Sequence, residues 1–177
     1  MRKLSNDELN RLDVEGYKAA PKNPVVIVLD NIRSLNNIGS VFRTSDAFRV
    51  EAVYLCGITA VPPHRDIQKT ALGATESVDW KYFKTTKEAV VELRNKSFHI
   101  VSIEQADKSI DLQNFNIRSN NKYAFVFGNE VKGVEDEVVK FSDDVVEIPQ
   151  FGTKHSLNIS VSVGIVLWNH FLKSNNL

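Results

Sequence analysis

Five short apolar runs, rich in β-branched residues, recur along the chain at positions 24–29, 52–56, 99–103, 123–127 and 145–148. None alternates polar with apolar positions, as a strand with one wet face would. Continuous runs suit strands covered on both sides, as in a parallel sheet. Between them, apolar residues recur at helical spacing over 38–48, 86–95 and 134–141. Strands alternating with helices predict an α/β fold, a mostly parallel sheet with helices on both faces. No internal repeat, low-complexity tract or linker interrupts it, so a single domain over 1–177 is expected, with 1–22 a short helical extension. The Ser5-x-x-Glu8 spacing ahead of Leu9 and Leu12 fits a capping box and places a helix in that extension.

The last pattern is different. Leu157, Ile159, Val161, Val163, Ile165, Val166, Leu167, Trp168, Phe171 and Leu172 leave almost no polar face. A terminal helix of that kind is enclosed by its own domain or by a second subunit. Ser160, Ser162 and Gly164 are small enough for a close partner, and ordinary core packing describes the pattern equally well.

Composition narrows the function. Hydrophobic residues make up 42% and charged residues 25%, the balance of a globular protein. Basic and acidic residues number 22 each, which argues against non-specific coating of nucleic acid; a binder of RNA or DNA must gather its positive charge on one face. The single cysteine, Cys56, excludes an internal disulfide and reads as a buried strand residue; no metal site is expected. The basic start leads to no apolar stretch, and the longest apolar run, 163–168, is far short of the ~20 residues of a membrane span, so the cytoplasm is the expected location.

Three segments carry chemistry. In the first, a strand ending at Leu29-Asp30 enters a polar loop and a helix that Asn37 can cap, with Gly39, Arg43 and Ala47 on one face. Glycine one turn before arginine leaves space for a phosphate or sugar beside the guanidinium. By itself the segment describes an ion-paired surface arginine at least as well. In the second, the 123–127 strand ends in Gly128-Asn129-Glu130 with Gly133 close behind. It is neither a dinucleotide fingerprint nor a phosphate-cradling loop, and a plain β-to-α turn fits equally. A glycine at the carboxyl end of a parallel strand nonetheless marks where ligands bind in such sheets. In the third, a strand ends at Ile148-Pro149, and a loop leads to Ser156-Leu157-Asn158 at the start of the final helix. Ser156 is a natural N-cap whose neighbouring N–H groups can receive a ligand, and Asn158 must bond something to lie in the first turn of a buried helix.

Together, and in this order, the segments resemble the three motifs of the SpoU/TrmH family of RNA ribose methyltransferases, part of the SPOUT superfamily. The first motif is matched by Asn37, Gly39 and Arg43, the second by Gly128, Asn129, Glu130 and Gly133, the third by Ile148, Pro149, Ser156, Leu157 and Asn158. The resemblance implies a deep trefoil knot in the C-terminal third and a homodimer joined through the last helix, with active sites at the boundary. It implies S-adenosyl-L-methionine as cofactor, held by Gly128, Ile148, Ser156 and Leu157, with Ile103 adding to that wall. It assigns the functional polar set to Asn37, Arg43, Glu130, Ser156 and Asn158. Arg43, Arg65, Lys69 and His155 are the candidate RNA contacts. For His155 a loop residue without special role is the plainer reading, and for the His64–Lys69 stretch a solvated loop is as good. His99 and His170 read as structural. The 99–112 stretch resembles members acting on the guanosine of the tRNA D-loop, so tRNA is the expected substrate, with ribosomal RNA the alternative.

Two other classes compete. A dinucleotide-dependent oxidoreductase lacks its glycine fingerprint after the 25–29 strand. A non-catalytic RNA-binding protein of the same fold has no reason to keep Asn37, Arg43, Glu130, Ser156 and Asn158 together.

Overall fold

A computed structural model describes residues 1–5 and 7–174. Seven strands, β1 (Asn23–Asp30), β2 (Val50–Cys56), β3 (Trp80–Phe83), β4 (Phe98–Ile103), β5 (Ile110–Asp111), β6 (Lys122–Phe127) and β7 (Asp144–Glu147), form one sheet in the order β3-β2-β1-β6-β4-β7-β5. Every pairing is parallel. The helices are α1 (Val14–Ala19), α2 (Leu35–Ala47), α3 (Arg65–Ala71), α4 (Ala74–Ser77), α5 (Thr86–Asn95), α6 (Asp136–Phe141) and α7 (Ile159–Ser174).

Strand alternation divides the core in two. Val25, Ile27 and Leu29 of β1 face a layer built from α1 to α4 and α7, while Val26 and Val28 face α5 and α6. Both faces are covered, which is why the central strands read as unbroken apolar runs.

The elements missed from the sequence are those with little buried area. Three of the four β3 residues are exposed, and β5 is two residues long. In α3, only Ile67 and Ala71 are buried, one turn apart in a polar segment. At the N-terminus, 7–9 form a single 3₁₀ turn rather than the expected helix. Glu8 accepts from Ser5 N at 2.8 Å, but the reciprocal cap is not made, and the helix follows instead at α1, capped by Asp13. Two caps also move. Ser34, not Asn37, caps α2, its hydroxyl accepting from Asn37 N at 3.3 Å. Asn158, not Ser156, caps α7, its Oδ1 accepting from Ser160 N at 2.9 Å.

Gly39 has a different purpose from the expected one. A Cβ there would lie 2.1 Å from Thr70 Oγ1 and 2.2 Å from the Ile67 carbonyl oxygen. The space beside this glycine is filled by α3, so the residue lets two helices touch rather than leaving room for a phosphate.

One half of α7 is enclosed by its own chain, through Ile159, Val163, Val166, Leu167 and His170. The opposite stripe is open: Val161 is 50% and Trp168 53% exposed. The Trp168 ring stacks on Phe171 and meets Phe48 of the α2 C-terminus edge-on.

His170 is structural, as expected. It is buried edge-on against Tyr123 and Phe125, and its Nδ1 has no partner among the described residues. Burial lowers its pKa to about 4 from the ordinary 6.5. Between those values the unfolded chain binds the proton and the folded one does not, so stability falls as pH drops from about 6.5 towards 4. His170→Phe keeps the ring packing and removes the titration. Its melting temperature, measured over this window, is expected to vary less with pH than that of the parent; equal slopes would show that other groups govern the acid limb.

Candidate active site

The loops that follow β4, β6 and β7 meet at the carboxyl ends of three adjacent strands, where ligands bind in open parallel sheets. They enclose a cavity of about 550 Å³. Its apolar wall comprises Ile103, Phe127, Ile148, Leu157 and Ile159, and its polar rim includes Asn37, Glu104, Gln105, Glu130, Lys132, Glu147, His155, Ser156 and Asn158.

A hydrogen-bonded chain crosses this rim. The Glu130 carboxylate accepts from Arg33 N at 3.2 Å and Ser34 N at 3.3 Å, the free N–H groups ahead of α2, and from Asn37 Nδ2 at 3.5 Å. Asn37 Oδ1 in turn accepts from Asn158 Nδ2 at 3.1 Å. Because Ser34 caps the helix, the Asn37 side chain is free to make this link. Asn158, exposed at the N-cap rather than buried in the first turn as expected, thus finds a partner 121 residues away in sequence.

The loop after β6 is held by Asn129 of the second motif and, beyond it, by residues that sequence reasoning did not single out. Asn129 donates to the Asn31 carbonyl at 2.7 Å and accepts from Val131 N at 2.9 Å and Lys132 N at 3.1 Å. Glu104 accepts from Val134 N at 2.9 Å, tying the same loop to the end of β4. Gln105 donates to the His155 carbonyl at 3.0 Å and so fastens the third loop to that end too. Asp30, fully buried, accepts from Thr86 Oγ1, Asn31 Nδ2 and Glu135 N beneath the site. Burial, reinforced by the Asp30 charge, raises the Glu135 pKa. An acidic residue ending a buried strand was the available signal for Asp30; the others are polar residues in loops, whose partners are distant in sequence.

Among the predicted residues, Asn37, Ile103, Gly128, Glu130, Ile148, His155, Ser156, Leu157 and Asn158 all line the cavity. Arg43 does not. It is exposed on α2 and lines a second cleft, of about 580 Å³, with Ser40, Thr44, Phe48, Lys69 and Thr70. It has no carboxylate partner among the described residues, so the ion-paired surface arginine is excluded as its explanation. Arg65 and Lys69 are exposed one turn apart on α3, a short helix capped by His64 rather than a solvated loop. No group of three or more histidine, cysteine or acidic residues among the described residues is placed to hold a metal. No helix among them is long and apolar enough to cross a membrane.

A parallel sheet with a crevice at its carboxyl edge, bounded by three interlocked loops, defines an α/β protein with a small-molecule site at the strand ends. The SpoU rRNA Methylase family model matches residues 24–168, and the chain belongs to that family. It is 31% identical over 151 residues to a tRNA (guanosine(18)-2'-O)-methyltransferase of Borreliella burgdorferi, covering 85% of this chain and 67% of that protein. It is 33% identical over 144 residues to the 23S rRNA (guanosine-2'-O-)-methyltransferase RlmB of Neisseria meningitidis, covering 81% of this chain and 56% of that protein. The chain thus spans between about half and two thirds of the length of these relatives. In fold it is similar to the A. aeolicus TrmH/SpoU tRNA modifying enzyme, with a TM-score of 0.79 at 24% identity over 92% of this chain and 81% of that one. The AdoMet-bound rRNA methyltransferase from Sinorhizobium meliloti gives a TM-score of 0.77 at 24% identity, over 85% of this chain and 56% of that one.

Proposed function

We propose that this chain transfers a methyl group from S-adenosyl-L-methionine to a ribose 2′-hydroxyl of RNA. The observation that carries the reading is the Glu130–Asn37–Asn158 chain, which brings all three motif segments to the rim of one cavity. The cavity suits the cofactor. Its volume lies within the range of small-molecule sites, its apolar wall can take an adenosine, and on its lining Glu104, Glu130 and Glu147 outnumber Lys132, which favours a sulfonium cation. When bound, that cofactor supplies a methyl carbon already activated for displacement.

The protein's own contribution is alignment and the handling of one proton. Asn37 and Asn158, fixed to each other, orient the ribose, and Glu130 holds their loop in place. With its planar guanidinium fork, Arg43 clamps the neighbouring phosphate and stabilises the developing alkoxide. The hydroxyl proton leaves to that phosphate or to water. Within one chain Arg43 lies outside the cavity, so a second copy supplies it. The homodimer joins through the open stripe of α7, where Val161 and Trp168 lie exposed and Trp168 meets Phe48. The loops after β6 and β7 form the trefoil knot in this reading, the enzyme works in the cytoplasm, and the single domain runs from end to end.

The proposed substrate is tRNA, at the D-loop guanosine, in line with the Borreliella relative's name; the Neisseria relative keeps ribosomal RNA as the second reading. Incubation with labelled cofactor and total tRNA or ribosomal RNA, followed by mapping of 2′-O-methyl nucleosides, tests both. Transfer to a tRNA guanosine ribose is expected. Absence of transfer to any RNA, with no cofactor binding by calorimetry, overturns the function.

A further inference from the structure

The loop between Pro149 and Leu157 leaves the cavity wall at Gln150 and returns to it at His155, lifting 151–154 outward. At its crest Phe151 is 97% exposed and makes no ring contact with any described residue. Val131, which lines the same cavity from the loop after β6, is 76% exposed. A single apolar side chain on a surface is ordinary; a ring standing beside the mouth of a cavity is set apart by what can cover it there.

The surrounding charge says what does. From 148 to 158 the chain carries Lys154 and His155 and no carboxylate, in a protein whose charges otherwise cancel. Neither Lys154 nor the cavity-lining Lys132 pairs with an acid among the described residues. An exposed ring with an unpaired lysine three residues along the same loop and a second lysine on the cavity lining is a combination that holds unpaired nucleotides, bases on the ring and phosphates on the cations.

We infer that Phe151 is a stacking platform for a nucleobase splayed out at the mouth of the cavity. The inference rests on the RNA methyltransferase reading and deepens it. A paired base keeps both faces inside the helix and has none to offer the ring; a splayed base does.

The test compares binding of a short single-stranded RNA and its duplex by fluorescence anisotropy, using Phe151→Ala, Phe151→Leu and Phe151→Tyr. Cofactor affinity by calorimetry and mass by light scattering are followed in parallel. The parent is expected to prefer the single strand. Phe151→Ala and Phe151→Leu should each weaken it by about 5- to 100-fold, and Phe151→Tyr should restore it. Cofactor affinity and mass should stay unchanged. Equal binding by the leucine variant, no preference for the single strand, or no RNA binding by the parent overturns the inference. So does a loss of dimer in Phe151→Ala, which would assign the ring to a second copy of the chain. Intact cofactor binding in any of these cases leaves the methyltransferase reading standing, whereas a parent that binds no cofactor brings down that reading itself.

Discussion

Gly128→Ala is expected to abolish cofactor binding and to lower the melting temperature by about 2–12 °C. A Cβ at this position would lie 2.1 Å from both the Gly133 carbonyl carbon and Val134 N. Both are backbone atoms, so no side chain can rotate away. The loop after β6 is also closed on itself, Asn129 and Gly133 exchanging hydrogen bonds of 3.0 and 2.9 Å, and Gly133 has φ +71°. It must therefore move as a unit, taking Glu130 away from the α2 N-terminus and opening the apolar wall. Calorimetry with the cofactor and a thermal melt check the two halves of the expectation. Parent-like affinity in Gly128→Ala would show that the cavity wall is not where the cofactor lies.

Arg43→Ala is expected to lower methyl transfer by at least about 100-fold, the scale for removing a cationic stabiliser of developing negative charge, with cofactor affinity unchanged. Arg43→Lys should recover little, because an ammonium lacks the planar fork that grips a phosphate. A sharper expectation follows from the position of Arg43 in the second cleft, apart from Asn158 at the cavity. If a second subunit brings them together, Arg43→Ala and Asn158→Ala dimers are each inactive but complement on mixing. Random exchange makes half of the dimers mixed, and each of those has one intact site of two, so about one quarter of the activity should return. No recovery despite proven subunit exchange would assign Arg43 to its own chain's site.

Much of the molecule was legible in the chain alone because its strands are buried on both sides. The runs at β1, β2, β4, β6 and β7 announced themselves by unbroken apolar character, and α5 by its spacing. Elements with less to bury left less trace: β3 is an edge strand with Trp80 and Tyr82 turned outward, and α3 shows only Ile67 and Ala71 to the core. The motifs named nine residues that do line one cavity, since each segment had to keep particular side chains at particular offsets. What they did not name were the fasteners Glu104, Gln105 and Asp30, whose partners lie in other loops.

The sequence by itself determined the α/β alternation, the parallel sheet and the family, because burial periodicity and motif spacing are local properties written along the chain. The tertiary structure alone decided the purpose of Gly39, which a helix-contact geometry sets, and the pairing of Asn37 with Asn158, which depends on where two loops end in space. It alone decided that Arg43 opens onto a separate cleft and that α7 is covered on one side only. Each of these is a relation between surfaces distant in sequence, and no pattern within a single segment encodes a relation of that kind.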